Sequence, residues 1–239
     1  MPDTRKHRGP HPADADLFGP DRWPMLRRAV ADLSWLLTRD YAWSSALKLV
    51  GDRFQLTERQ RLAVFRSSCS DEALKRRTGT QVAPQLLRGR ELHLDAFNVL
   101  TTLEAAQAGG VVLRGRDGCY RDMASMHGSY RKVAETRPAL VLLGEVLSEL
   151  GVGGCRWLLD SPVSNSGRLS ALIRDLAAEN GWRWETELVQ NPDPILIQSG
   201  AIVGTADSAI LDGCAGWFNV ARDVVSRRLP EAFVVPLGA

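Results

Sequence analysis

The sequence has no apolar run near the roughly 18 residues that a membrane-spanning helix requires. Its start, MPDTRKHRGPHPADAD, has no apolar core of the kind a secretory signal carries. Both absences predict a cytoplasmic protein with no membrane partner. Paired cysteines are also missing: Cys69, Cys119, Cys155 and Cys214 lie far apart with no CxxC, which excludes a zinc knuckle or a disulfide framework and predicts reduced, mostly buried thiols. Lysine is scarce. Of 30 basic residues only Lys6, Lys48, Lys75 and Lys132 are lysines, so arginine, the side chain best suited to bidentate phosphate contact, carries nearly all the positive charge. A GC-rich genome gives the same bias. What remains, 239 residues of which 44% are hydrophobic and 24% charged, is an ordinary globular composition that excludes intrinsic disorder and fibrous repeats.

The net charge of +2 conceals an asymmetry. Residues 1–90 carry 17 Lys and Arg against 10 Asp and Glu, a balance of +7, and residues 91–239 carry 13 against 18, a balance of −5. Residues 1–20, with four prolines and scattered charge, read as a disordered tail. Residues 21–89 read as a small all-helical domain: Leu26, Val30, Leu33, Leu36 and Leu37 form one stripe, and Ala46, Leu47 and Val50 continue it to a helix stop at Gly51. Thr57 followed by Gln60 has the form of a capping box opening the helix TERQRLAVFRSS. That segment opens like some helix-turn-helix units but has no clear recognition helix. Nonspecific RNA contact through its arginines, or packing as a lid or substrate guide, is the reading kept for it.

From residue 90 to 239 short β-like runs alternate with helical stretches, the pattern of an α/β parallel sheet flanked by helices. Strands are predicted at Leu92–Phe97, Cys155–Asp160, Trp182–Val189 and Ala201–Ala206, with a further short one at Val111–Leu113. Helices are predicted at about Val99–Ala108, Pro138–Leu150, Arg168–Glu179 and Ser208–Ala215; Trp217–Val225 supplies a last strand or helix.

Three of these runs end in an aspartate: LHLDAFN gives Asp95, RWLLD gives Asp160 and IVGTAD gives Asp207. Open parallel sheets bind ligands outside the carboxyl ends of their strands, which is where three such side chains would converge. Carboxylates gathered there repel one another unless a cation sits among them, and the hard ions Mg²⁺ and Mn²⁺ take oxygen ligands together with substrate phosphate. The arrangement points to metal-assisted phosphoester chemistry. Each aspartate also has an ordinary alternative, since Asp often opens the turn after a strand or caps the next helix.

The strand Leu94, Asp95, Ala96, Phe97, Asn98, Val99 and the closing Thr205, Ala206, Asp207 resemble the two signature motifs of the PIN-like nucleases, including their NYN branch. The resemblance covers about residues 90–225. The whole chain is similar to an uncharacterised two-domain prokaryotic family that joins a helical domain of unknown function to a PIN-like domain. The resemblance implies a Rossmann-like fold, endoribonuclease or flap-type activity leaving a 5′-phosphate, and a four-acid site for one or two Mg²⁺ or Mn²⁺ ions. Asp95, Asp160 and Asp207 match the metal ligands, with Glu104 as the acid on the helix after the first strand and Asp212 as a further ligand or supporting acid.

Several polar residues are candidates for substrate contact. Asn98 either hydrogen-bonds Asp95 or braces its turn. Ser164, Asn165, Ser166 and Gly167 form a small loop before a helix, where backbone N–H groups receive a phosphate beside Arg168, or simply cap the helix. The stretch RGRDGCYRDMASMHGSYRK interleaves Arg114, Arg116, Arg121, Arg131 and Lys132 with Tyr120, His127 and Tyr130, a mixture that suits single-stranded nucleic acid or a solvated loop. Asp117 and Asp122 are additional acids, His127 a possible proton donor, and His93 a structural residue. The leading expectation is a metal-dependent nuclease acting on RNA or single-stranded nucleic acid. Its rivals are an RNA-binding module that keeps the fold without cleavage, and a small-molecule phosphatase, against which Phe97 counts because it removes the Asp-x-Asp pair of the aspartyl-phosphate design.

Overall fold

In the computed structural model, which describes residues 9–123, 130 and 132–238, the N-terminal part is helical. Its helices are α1 (Asp14–Phe18), α2 (Trp23–Leu37), α3 (Trp43–Arg53), α4 (Glu58–Ser67) and α5 (Asp71–Thr80). The stripe Leu26, Val30 and Leu33 is buried as its spacing requires. Thr57 and Gln60 form the expected capping box, and Ser70 caps α5 by accepting from the Ala73 N–H at 3.2 Å.

Two expectations are corrected here. The segment read as a disordered tail is packed over residues 14–20: Phe18 is fully buried, and the buried Asp14 carboxylate accepts from Arg59 Nε and Nη2 at 2.5 and 2.9 Å. An apolar anchor and a charge-assisted pair outweigh the composition. Gly51 does not stop its helix, because α3 runs on to Arg53. Glycine is there for space: a Cβ would stand 1.9 Å from Arg61 Nη1, whose guanidinium crosses α3 to accepting carbonyls and Asp52.

The second part opens with β1 (Glu91–Asp95), α6 (Ala96–Gln107), β2 (Val112–Arg114) and β3 (Tyr120–Asp122). It continues through α7 (Thr136–Glu149), β4 (Gly154–Asp160), α8 (Ser166–Asn180), β5 (Trp184–Val189) and α9 (Pro192–Gln198). It closes with β6 (Ile202–Gly204), α10 (Ser208–Gly213), β7 (Gly216–Phe218), α11 (Val220–Arg228) and β8 (Val234–Pro236). Five strands form a parallel sheet in the order β5-β4-β1-β6-β7. The fold class is therefore mixed α/β with an N-terminal helical region, as the sequence predicts. The chain builds outward from β1 to β4 and β5, then returns to the other side of β1 with β6 and β7. This reversal between β1 and β6 is the topological switch point, the place at which open parallel sheets bind ligands outside the carboxyl ends of their strands.

Alternating side chains bury both faces of the sheet. Trp157 and Leu159 of β4 join the core under α6, α7, α8 and α11, whereas Leu158 joins Leu196, Ile210, Leu211 and Trp217 under α9 and α10. A second, three-stranded sheet, β3-β2-β8, lies apart from the first. Its Leu113 and Val235, with Leu237, share one hydrophobic core with Leu26, Leu33, Ala63 and Val64 of the helices. The core of the helical region is thus shared with the three-stranded sheet, including the C-terminal strand. The sequence did not reveal α9, β3 or β8. Pro192 suits the first turn of a helix, but α9 is only seven residues long and the two strands only three each.

Candidate active site

Asp95 stands at the end of β1, 7% exposed, in the N-cap position of α6 without using its side chain as a cap. The capping alternative therefore does not account for it. Its carboxyl is pushed up to about 7, first by burial and then by the like charges of Asp207, Asp193 and Asp160, against the lowering effect of a hydrogen bond from Thr205. Asp160, at the end of β4, is raised by burial. Asp193 is raised by burial and by Asp207 and Asp160. The charges of Asp207 and Asp160 thus act on both Asp95 and Asp193 near the switch point. The sequence reading included three of these four aspartates and missed Asp193. A usable signal was present, because Asp193 follows the end of β5 as the others follow their strands.

The closing motif has a structural logic. Thr205 Oγ1 donates to Asp95 Oδ2 at 2.8 Å and accepts the Asp207 N–H at 3.0 Å, so one hydroxyl ties the two acids together. Asp207 Oδ1 accepts from the N–H groups of Ala209 and Ile210, capping α10. Asn98 does not reach for Asp95: its Oδ1 accepts the Ala206 N–H at 2.7 Å and so braces the loop that carries Asp207.

The structure places the remaining candidates elsewhere. Glu104 is fully buried in α6, where its carboxylate accepts from Tyr130 Oη and from Thr136 Oγ1 at 2.6 Å. Asp212 is taken by Arg77 of α5, with Nε and Nη2 at 2.7 and 2.8 Å from its two oxygens. Arg77 also reaches the buried Asp117 at 2.7 Å, and Arg121 grips the same carboxylate with Nη1 and Nη2 at 2.9 and 2.6 Å. These cations hold Asp117 well below the usual carboxylate range despite its burial.

The arginine-rich stretch is therefore not a solvated loop over its described residues. Arg121 is buried and donates to the Ala206 carbonyl at 2.8 Å, Tyr120 and Tyr130 face the core, and Asp122 accepts from Thr101 and Thr102. Arg116 is engaged by Asp71 and the Cys69 carbonyl, and Arg114 is exposed at the end of β2. His127 and Arg131 lie outside the described residues. His93 is mostly buried, its Nε2 3.5 Å from Glu91. Asn165 adopts a left-handed conformation before α8 and donates to the Tyr130 carbonyl, with Arg168 exposed beside it. The four cysteines are free and buried.

Between α4–α5 and the switch-point loops lies a cleft of about 670 Å³, in the size range of small-ligand sites. Phe65, Arg66 and Ser70 line one wall, and Asn98, Ala206 and Asp207 the other. The donor set of the four aspartates is all oxygen, which fits Mg²⁺ or Mn²⁺, and a cation there would stabilise the charged form of Asp95 against burial, its main raising cause, and against its neighbours' charges. Among the described residues no group of three or more His, Cys, Asp or Glu is already drawn together around one ion position.

Among the described residues no helix is long and apolar enough to cross a membrane. Residues 25–79 match the family described as a protein of unknown function, DUF434. An "Uncharacterized protein MJ0935" of Methanocaldococcus jannaschii is 30% identical over 186 residues, covering 78% of this chain and 88% of that protein. No solved structure matches the chain. Residues 84–223, more than half of the chain, match the model of a domain of unknown function, DUF5616, and the chain belongs to that family.

Proposed function

We propose that the protein is a metal-dependent nuclease of PIN-like character, acting on RNA or other single-stranded nucleic acid. The observation that carries this reading is a buried Asp95 at the switch point of a parallel sheet, raised to about 7 by burial and by the charges of Asp207, Asp193 and Asp160. A carboxylate so perturbed at a switch point favours a functional over a structural role. Asp95, Asp160, Asp193 and Asp207 would hold Mg²⁺ or Mn²⁺. When bound, the ion supplies positive charge to the phosphate and lowers the pKa of a water.

The chain's own groups prepare this site. The Thr205 hydroxyl fixes one oxygen of Asp95, the α10 cap fixes one of Asp207, and Asn98 and Arg121 hold the intervening Ala206 from both sides. The acids are thereby positioned before any ligand arrives, which removes an ordering cost from binding. A cytoplasmic setting fits the four buried free thiols.

The test is cleavage of end-labelled single-stranded RNA and DNA with Mn²⁺, Mg²⁺ or EDTA, comparing wild type with Asp95→Asn, Asp193→Asn and Asp207→Asn. The expected result is metal-dependent cutting reduced about 100-fold or more by each substitution, since losing even an outer support of a metal ligand costs 10- to 100-fold. RNA binding with no cutting in any metal would assign the chain to a non-catalytic module. Turnover of a generic phosphate monoester alone would favour a phosphatase.

A further inference from the structure

We propose that Trp43 and Phe65 of the helical region form a stacking platform for the unpaired bases of single-stranded nucleic acid, leading the strand into the cleft toward Asp207. The direction of the strand rests on the nuclease reading above; the stacking does not. The two rings are 56% and 39% exposed, with centroids 5.0 Å apart and planes tilted by 40°. Nothing in the packing of α3 and α4 requires them, because these helices bury Ala46, Val50, Ala63 and Val64 on their other faces. Large rings left side by side in water are the exception on a folded surface and point to a partner.

The position of the pair indicates which partner. Phe65 is also a wall of the cleft whose far side is Asn98 and the Ala206–Asp207 loop, so one of the two rings and Asp207 line the same cleft. The remaining lining mixes apolar side chains, among them Leu37, Ala73 and Ala209, with the polar Arg66, Ser68, Ser70 and Thr102. A nucleotide offers a flat π face to the rings and sugar and phosphate oxygens to the polar side chains. The +7 balance of residues 1–90 favours a polyanion, and the corner between α2 and α3 adds an exposed Tyr41. Duplex bases are already stacked on one another, so the platform selects single strands.

The test uses the full chain in EDTA. Fluorescence anisotropy is measured with a short fluorescein-labelled oligouridylate and with an abasic strand of the same length. Trp43→Ala and Phe65→Ala are each expected to weaken oligouridylate binding by about 5- to 150-fold, the range for one base–aromatic stack. Trp43→Phe should retain most of the affinity, and the abasic strand should bind all variants equally. Unchanged oligouridylate affinity in the alanine variants, or equal losses on both strands, overturns the platform. So does a concentration-dependent dimer, seen by sedimentation, that Trp43→Ala abolishes. Base-dependent binding with no cutting in Mn²⁺ would remove the nuclease reading and leave the platform. Cutting with unchanged KM in both alanine variants would remove the platform and leave the nuclease.

Discussion

Two groups of aspartates lie within reach of the same loop, Thr205 to Asp212, and their environments drive them in opposite directions. At the sheet edge the charges of Asp207, Asp193 and Asp160 act with burial on Asp95, which rises to about 7. In the seam under the helical region Asp117 and Asp212 face Arg77 and Arg121, and Asp117 falls below its usual range. Burial penalises the charged form in both places. The difference is that the seam supplies its own cations and the edge does not. The seam therefore reads as structure, a set of ion pairs that docks α5 onto α10, and the edge as a place that accepts a cation from outside.

The strongest way to break this contrast is Arg77→Met. It strands the buried Asp117 with a single partner and releases Asp212, and a loss of about 3–5 kcal/mol is expected, measured by urea unfolding. A loss below about 1 kcal/mol would mean that the seam is not structural.

The pH dependence should differ in sign between the two sites. Asp95 keeps its proton to a higher pH folded than unfolded, so between about pH 4 and pH 7 the folded chain holds more protons and stability falls as pH rises. Asp117 is depressed; its contribution is present above about pH 4 and is lost only as pH falls below that. Asp95→Asn should remove the neutral-pH penalty and stabilise the protein at pH 8 by on the order of 3 kcal/mol, with little change at pH 4. Equal stability of the two proteins at both pH values would show that the edge carries no such strain.

A cation should act as the edge's missing partner. Mn²⁺ at about 100 times its Kd should stabilise the wild type by about 2.7 kcal/mol, read as a rise in Tm. Asp207→Asn should lose this rise, and Asp212→Asn should keep it. The reverse pattern would place the ion in the seam. The smallest expected effect is the stability change in Asp212→Asn itself. Asp212 is 37% exposed at its side chain, and Arg77 retains Asp117, so about 1 kcal/mol is expected by urea unfolding.

Asp95, Asp160 and Asp207 were legible because each closes an apolar run of strand length, and strand ends converge in a parallel sheet. Asp193 was not, since it follows its strand through a proline-bounded turn and joins the others only once β5 takes the sheet edge. Asp212 and Arg121 looked like site residues because charge alone does not tell a ligand from half of a salt bridge. The partner that decides, Arg77, is 135 residues from Asp212 in sequence. Glu104 was placed by its helix and position, but Tyr130 and Thr136 claim its carboxylate.

The sequence by itself determined the α/β alternation, the approximate course of the longer strands, the capping box at Thr57 and the apolar faces, because these depend on neighbours within a few residues and on the periods of helix and strand. Tertiary structure alone decided three things. It set the strand order that creates the switch point, it joined the helical region and the C-terminal strand in one core, and it divided the aspartates into paired and unpaired. Each depends on which distant side chains share a low-dielectric space, and burial and Coulomb energy are properties of that space rather than of the local chain.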